Sequence, residues 1–203
     1  MKFYPGEIYH IYNRGNIYQQ VFFEKRNYPF FLRKMKTHLT PYCDILAWCL
    51  MPNHFHWLVR IKDTEKLESF TLSDDGSLIE LNQSIGILLR SYTRAINVAY
   101  KTKGSLFQQG TNSKNVNCGL TLRENYALVC FLYIHQNPIK AKLAKNFADW
   151  EFSSYHYYTN LNYCSKICNK ELAQNLLDLP TSSSEFEEFS KQTLPDEFQY
   201  YIF

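Results

Sequence analysis

Two histidines stand one residue apart in the segment HFHWLVR, which begins at His54. Side chains alternate along a β-strand, so His54 and His56 share one face, with their roots about 6.6 Å apart. Two imidazoles at that spacing can bind one metal ion, act as an acid and base pair, or form hydrogen bonds inside the core. Burial of both rings without partners would cost several kcal/mol. The spacing therefore predicts partnered histidines and leaves these three roles open.

A second set of polar side chains follows a helical period late in the chain. Four residues spaced by four, three and four positions share one face of a helix there. They are Tyr126, Cys130, Tyr133 and Asn137. The simpler interpretation is a stripe that packs against the sheet. The more specific interpretation is that Tyr133 presents its hydroxyl, and Asn137 its amide oxygen, to the sheet face that carries the histidines.

The surrounding segments predict the elements that must position these residues. Apolar periodicity and turn residues predict strands at 6–13, 43–51 and 54–61, helices at 27–39, 78–101 and 121–136, and short strands or an extended loop between the last two helices. Pro52-Asn53 predicts a tight turn. The last helix should begin at a capping box of Thr121 and Glu124 and end before Pro138. This order predicts an α+β fold, with a ferredoxin-like antiparallel sheet and helices on one of its faces.

The end of the chain differs in composition from the rest. Residues 171–203 carry one lysine against seven acidic residues, and they close on the aromatic segment FQYYIF. We therefore expect a main domain over 1–160 and a short acidic helical tail over 161–203. The tail is predicted to pack on the domain, because aromatic side chains seldom stay exposed.

Composition limits the class of protein. Hydrophobic residues make up 45% of the chain and charged residues 20%, which are ordinary values for a globular protein. No apolar run approaches the roughly 20 residues that a membrane helix needs. The N-terminus lacks the apolar core of a signal peptide, and the six cysteines form no CxxC pair. We expect a reduced, cytoplasmic protein without a membrane span.

Positive charge is concentrated in the middle of the chain. No acidic residue occurs between Glu80 and Glu124, although several basic residues do. Such a stretch suits a nucleic-acid backbone, and the alternative is an ordinary solvated surface. The candidate nucleic-acid contacts are Arg14, Arg90, Arg94, Lys101, Lys103 and Lys114.

Four ordered blocks of this sequence resemble the single-tyrosine HUH transposases, in particular the REP-associated tyrosine transposases. The blocks are YHIYNRGN, MPNHFH, SYTRAIN with KTKGSLFQ, and YIHQNPIKAKL, and the ending WEFSSYHYY follows them. The resemblance spans most of residues 5–158. The HxH motif alone is weakly specific, whereas the ordered set is strongly specific. One departure follows SLFQ, where the family often has an arginine-rich continuation and this chain has QGTNSKNVN, with Lys114 as its one basic residue.

The resemblance implies a role for each matching residue. It implies that His54 and His56 bind a divalent metal ion, Mg²⁺ or Mn²⁺, that Tyr133 is the nucleophile, and that Asn137 is the third ligand. Asn137 precedes a proline, where helical geometry is disfavoured, so Gln136 or His135 remain alternatives. Tyr126 is the rival nucleophile. His10, in the first strand, is interpreted as a structural residue.

The function implied by the resemblance is metal-dependent nicking of single-stranded DNA and strand transfer through a 5′-phosphotyrosine intermediate. The expected partner is single-stranded DNA with a hairpin, handled by a monomer or a homodimer associated with the nucleoid. One alternative is a non-catalytic protein that binds single-stranded or hairpin DNA on the same fold. Another is a metal-dependent hydrolase that uses a water nucleophile.

Overall fold

The computed structural model describes residues 1–117, 126–159 and 167–194. Its sheet has four antiparallel strands, and the order across the sheet is second, third, first, fourth. The strands are β1 (Ile8–Arg14), β2 (Cys43–Met51), β3 (His54–Ile61) and β4 (Asn112–Asn115). The predicted α+β class and the ferredoxin-like antiparallel sheet are confirmed.

Six α-helices accompany this sheet in the described residues. They are α1 (Asn27–Leu39), α2 (Ile79–Tyr100), α3 (Tyr126–Lys140), α4 (Tyr155–Tyr158), α5 (Lys170–Leu177) and α6 (Ser183–Ser190). The predicted placement on one face holds for α1 and α2, which pack on the side of Phe55 and Trp57. In contrast, α3 packs with Leu58 on the opposite side. Strand β3 is apolar on both faces apart from His54, His56 and Arg60, so it needs a cover on each side.

The hairpin of β2 and β3 has the bounds that the sequence predicts. Pro52-Asn53 forms the turn, and Met51 pairs with His54 across it. A β-bulge between Ile45 and Ala47 shifts the register near the far end of β2. Because a shift of one residue would exchange the two faces of a strand, this pairing fixes which side of the sheet receives the histidines.

One face of the sheet is covered by an aromatic core. Phe31 of α1 contacts the ring of Phe55 at 5.6 Å between centroids and the ring of Tyr92 of α2 at 4.8 Å. The Tyr92 hydroxyl donates a 2.7 Å hydrogen bond to the Val21 carbonyl, so its buried polar end is satisfied. This packing covers the face of β3 that carries Phe55 and Trp57, and the histidines lie on the opposite face.

Helix α3 runs further than the sequence predicts. It continues through Pro138 to Lys140, so the expectation of an end before Pro138 was wrong. Proline removes one backbone donor, and near the end of a helix few intrahelical bonds remain to be lost. The Asn137 carbonyl accepts a 2.9 Å hydrogen bond from the Ala141 amide, and the Pro138 carbonyl accepts one of 2.9 Å from Leu143. The final turn is therefore closed despite the proline.

The described part of the tail packs on α3. Phe186 of α6 is fully buried, and its ring stacks on Tyr158 at 5.0 Å between centroids. Gln136 of α3 donates hydrogen bonds of 3.1 and 2.8 Å to the carbonyls of Ser190 and Gln192. Helices α5 and α6 therefore share the core on the histidine side of the sheet.

Three expectations fall outside the described residues. They are the capping box of Thr121 and Glu124, the aromatic ending FQYYIF, and the boundary between 160 and 161, which stays a prediction. Across 1–117, 126–159 and 167–194, no helix combines the length and the apolar character needed to span a membrane.

Candidate functional site

The site lies on the sheet face opposite α1 and α2, where two neighbouring strands place four polar residues. Strand β1 pairs with β3 so that Tyr12 lies opposite His56 and Arg14 lies opposite His54. His10, two residues before Tyr12, shares its face. The alternation predicted for HFHWLVR therefore brings His54 and His56 together, with their ring centroids 5.1 Å apart.

His54 is held by the turn residue that precedes it. Its Nδ1 lies 2.6 Å from Asn53 Oδ1, which can only accept, so Nδ1 carries the proton and Nε2 keeps a lone pair. Burial lowers the pKa of His54 to about 4, a hydrogen bond with Asn137 acts in the opposite direction, and the charge of Arg14 lowers it further. At neutral pH the ring is therefore neutral.

His56 is held by a second buried histidine. Its Nδ1 lies 2.9 Å from His10 Nε2, and the two rings stack with centroids 5.1 Å apart. Burial lowers the pKa of His56 well below its usual value, and the neighbouring His10 and His54 lower it further. Burial, followed by the charge of Lys114, lowers the pKa of His10 to about 3. Both rings are therefore neutral, and one of them donates a hydrogen bond to the other.

Sequence reasoning missed the contact between His10 and His56. The alternation of β1 could have revealed it, because His10, Tyr12 and Arg14 lie on one face of that strand. The pairing of β1 with β3 was needed to show that this face is the one that carries His54 and His56. His10 is buried and bonded inside the protein, as a structural residue is, but the residue that it contacts, His56, is a candidate functional residue.

Tyr133 reaches this face from α3. Its ring meets the His56 ring edge to face, with 5.4 Å between centroids and 89° between planes. The residue is only 5% exposed, and burial raises its pKa above the usual value, while a hydrogen bond with Asn137 opposes the rise. The ammonium of Lys140 lies 5.6 Å from the centroid of the same ring. The phenol is therefore protonated at neutral pH and lies beside the histidine pair.

Asn137 connects the helix with the histidines. It is buried one turn after Tyr133, and its side chain is close enough to act on the pKa of both His54 and Tyr133. The two alternatives face other partners: His135 Nε2 is 2.7 Å from Ser154 Oγ, and Gln136 bonds the tail. Of these three residues, Asn137 is the one that the structure brings to the histidine pair.

These residues fit a divalent metal ion. Both imidazoles are neutral, and each has its Nδ1 engaged by a fixed partner, as metal-binding histidines usually do. In the described ranges, no cluster of three or more His, Cys, Asp or Glu side chains can hold a metal. The side-chain amide oxygen of Asn137, beside His54, would be the third protein ligand.

A groove of about 480 Å³ opens over the histidines. The other polar residues that line it are Tyr12, Asn13, Arg14, Tyr18, Asn53, Gln108 and Asn112. A second groove of about 780 Å³, along α2, contains Arg90 and Arg94 and shares Asn13 and Gln108 with the first. The two grooves therefore adjoin at Asn13 and Gln108.

The predicted basic residues fall into two groups. Arg14 lines the groove over the histidines, and Arg90 and Arg94 line the groove along α2. In the described chain, Lys101 and Lys103 lie in the turn after α2 and line neither groove. Lys114 lies in β4, where its ammonium is 5.2 Å from the ring centroid of Tyr126, the rival nucleophile.

Comparison with known proteins finds similarity to solved structures. No protein-family model matches the chain, and no curated protein matches it. The chain is similar to a solved structure of a REP-associated tyrosine transposase bound to a REP hairpin, with 15% identity, a TM-score of 0.56, and coverage of 83% of this chain and 92% of that one. At this identity the likeness shows the fold. The chain therefore has the architecture of that transposase.

Proposed function

We propose that this protein is a metal-dependent enzyme that nicks single-stranded DNA and rejoins it by strand transfer. The observation that carries the proposal is the contact of Tyr133 with His56, on the face where His54 and Asn137 complete a set of metal-binding side chains. A nucleophile and an amide oxygen from α3 meet two neutral imidazoles from β3 beside a basic groove. The transposase-like fold, which was solved with a DNA hairpin in the similar structure, supports the same conclusion.

In the proposed reaction, Tyr133 Oη attacks the phosphorus of a phosphodiester lying over the histidines. A bond forms between Oη and phosphorus, and the bond from phosphorus to the 3′ oxygen breaks. The products are a 5′-phosphotyrosine and a free 3′-hydroxyl, which receives the proton that Tyr133 loses. One phosphodiester replaces another, so the step is reversible, and a second 3′-hydroxyl can accept the strand.

Each side chain of the site has its own role in this reaction. His54 and His56 bind the metal through Nε2, since their Nδ1 atoms face Asn53 and His10. The bound metal supplies Lewis-acid stabilisation of the phosphate oxygens. Asn137 orients the phenol and contributes its oxygen. Because imidazole suits manganese and later metals better than magnesium, we expect Mn²⁺ to support activity better than Mg²⁺.

The path along the two grooves takes the DNA backbone. Arg90 and Arg94 neutralise phosphates on the α2 side, and Arg14 does so at the histidines. The path ends between β1, β3 and the loop that contains Gln108, which suits a single strand leaving a hairpin.

The test is the formation of a covalent adduct. The protein is incubated with single-stranded oligonucleotides that contain hairpins, in Mn²⁺, and separated in denaturant. We expect a denaturant-resistant protein–DNA band that is absent in Tyr133→Phe and in EDTA, and present in Tyr126→Phe. Turnover that survives Tyr133→Phe but not His54→Ala would instead indicate a hydrolase with a water nucleophile.

A second candidate is a protein that binds hairpin DNA without cutting it. The observation that favours it is the burial of Tyr133, which is 5% exposed and has a raised pKa. Attack on a phosphate needs access to the Oη atom of Tyr133, so α3 must move when DNA binds. Tight hairpin binding with no adduct in any metal would support this candidate over the enzyme.

A further inference from the structure

A short loop after β1 holds two large side chains out into solvent in an unfavourable backbone conformation. Ile17 and Tyr18 adopt φ values of 49° and 57°, which are left-handed. Their exposed fractions are 94% and 67%. A β-branched residue rarely adopts this conformation, because its side chain then crowds the backbone. Neither burial in a core nor a favourable backbone conformation explains why two large side chains occupy these positions.

The rest of the structure fixes this loop. Asn16 Nδ2 donates a 3.0 Å hydrogen bond to the Ser105 carbonyl, and Gln19 Nε2 donates bonds of 3.2 and 2.9 Å to the carbonyls of Ser105 and Leu106. A side chain at Gly15 would collide with the backbone oxygen of Gln19, so the tight turn requires glycine. Hydrogen bonds on both sides of Ile17 and Tyr18 therefore attach this loop to the segment around Ser105, which also lines the grooves.

One face of the Tyr18 ring already has a stacking partner. The guanidinium of Arg14 lies 4.7 Å from the centroid of its ring. Arg14 Nε in turn donates a 3.0 Å hydrogen bond to Gln108 Oε1, which fixes the cation beneath the ring. A cation over one face leaves the opposite face of the exposed ring open to another flat group.

The position of the ring indicates its ligand. Tyr18 lines the same groove as His54 and His56, so a group stacked on it would lie next to whatever the histidines bind. In the proposed function that is a phosphodiester, and the adjoining flat group of a single strand is an unpaired base. Aromatic rings beside a basic groove are the usual platforms for such bases.

We propose that Tyr18 is a base-stacking site that holds an unpaired nucleotide next to the phosphodiester at the histidine pair, with Ile17 wedged beside it. The inference rests on the proposed function and adds to it a positioning residue on the DNA side. Stacking tolerates every base, because each has a flat π-face, so the site sets the position of the strand and not its sequence. The rigid loop reduces the ordering cost when DNA binds.

The experiment uses the full chain with Tyr133→Phe, which removes cleavage, and a hairpin oligonucleotide with oligothymidine flanks that each carry one 2-aminopurine. Stacking of that base on an aromatic ring quenches its fluorescence. We expect quenching on binding, lost in Tyr18→Ala and retained in Tyr18→Trp, together with binding weakened by about fivefold to 100-fold in Tyr18→Ala. Phe70→Ala is the matched control, because Phe70 is also an exposed aromatic and lies outside this groove.

The outcomes separate this inference from the proposed function. If the hairpin binds, the adduct forms in the protein with Tyr133 intact, and Tyr18→Ala changes neither quenching nor affinity, the stacking site is wrong and the enzyme stands. If quenching depends on Tyr18 but no adduct forms in any metal, the stacking site stands without the chemistry. If the chain binds none of the hairpin probes, both are overturned. Equal melting temperatures for the Tyr18 variants establish that the effect is local.

Discussion

His56 Nδ1 and His10 Nε2 lie 2.9 Å apart inside the protein, one on each of two paired strands. For His56 Nε2 to carry a lone pair towards a metal, Nδ1 must hold the proton and donate it to His10. In that state the partner histidine would set both the ring orientation and the tautomer of His56. Such outer partners typically account for 10- to 100-fold in metal affinity.

We predict that His10→Ala weakens Mn²⁺ binding by about 10- to 100-fold, because His56 loses the acceptor that sets its tautomer. Titration calorimetry measures this loss. His10→Gln, which restores an acceptor oxygen, should recover part of the affinity. Equal Mn²⁺ affinity in wild type and His10→Ala would show that the contact between the two histidines serves packing alone.

The proposed metal site gives a second prediction. A ligand at about 100 times its Kd stabilises a protein by about 2.7 kcal/mol, so Mn²⁺ should raise the melting temperature of the wild type. His54→Ala and His56→Ala should abolish that rise. His38→Ala, a histidine on α1 across the sheet, should keep it. A rise that persists in both sheet variants would place the metal elsewhere.

The buried histidines predict a loss of stability in acid. Burial lowers the pKa of His10, His54 and His135 from 6.5 to about 3, about 4 and about 3. The unfolded chain takes up protons near pH 6.5, whereas the folded protein does not. The stability from these groups is therefore fully present above about pH 6.5 and is lost as the pH falls towards 4, by up to about 1.4 kcal/mol per unit for each residue.

Urea unfolding of the metal-free protein at a series of pH values measures this slope. His135→Gln removes one of the groups at a position buried beside Ser154 and the tail, so its slope should be shallower than that of the wild type. A free energy of unfolding that stays constant between neutral pH and pH 4 would contradict the neutral state of these rings.

The arginines of the α2 groove predict a change in salt dependence. Arg90→Ala with Arg94→Ala should weaken single-stranded DNA binding and reduce the slope of log K against log salt by about 1.4, since each phosphate contact contributes about 0.7. Lys101→Ala with Lys103→Ala removes the same charge outside the grooves and should change the slope less. Identical slopes for the two double variants would mean that the DNA takes another path.

Local sequence signals predicted much of this fold. The bounds of α1, β2 and β3 agree with the predicted segments, because amphipathic period, alternation and the turn at Pro52-Asn53 are all local. The convergence of Tyr133 with the histidines also followed from spacing, once helix and strand were assumed to face each other. The resemblance to the HUH transposases supplied the roles, and those roles remain proposals.

Other features depend on contacts between distant segments. The His10 contact needs the register of β1 on β3. The choice of Asn137 over His135 and Gln136 needs Ser154, which bonds His135, and the tail, which bonds Gln136. The helix passes Pro138 because its last turn is closed by contacts that the proline does not remove. None of these can be obtained from spacing in one segment.

The central claim is that Tyr133 becomes covalently linked to DNA. Protein incubated with a hairpin oligonucleotide and Mn²⁺ is digested with protease and nuclease, and mass spectrometry locates the residue that carries the added nucleotide phosphate. We predict a single modified tyrosine, Tyr133, with no modification in EDTA or in His56→Ala. A nucleotide on Tyr126, or DNA that is cut while every tyrosine remains unmodified, would contradict the account.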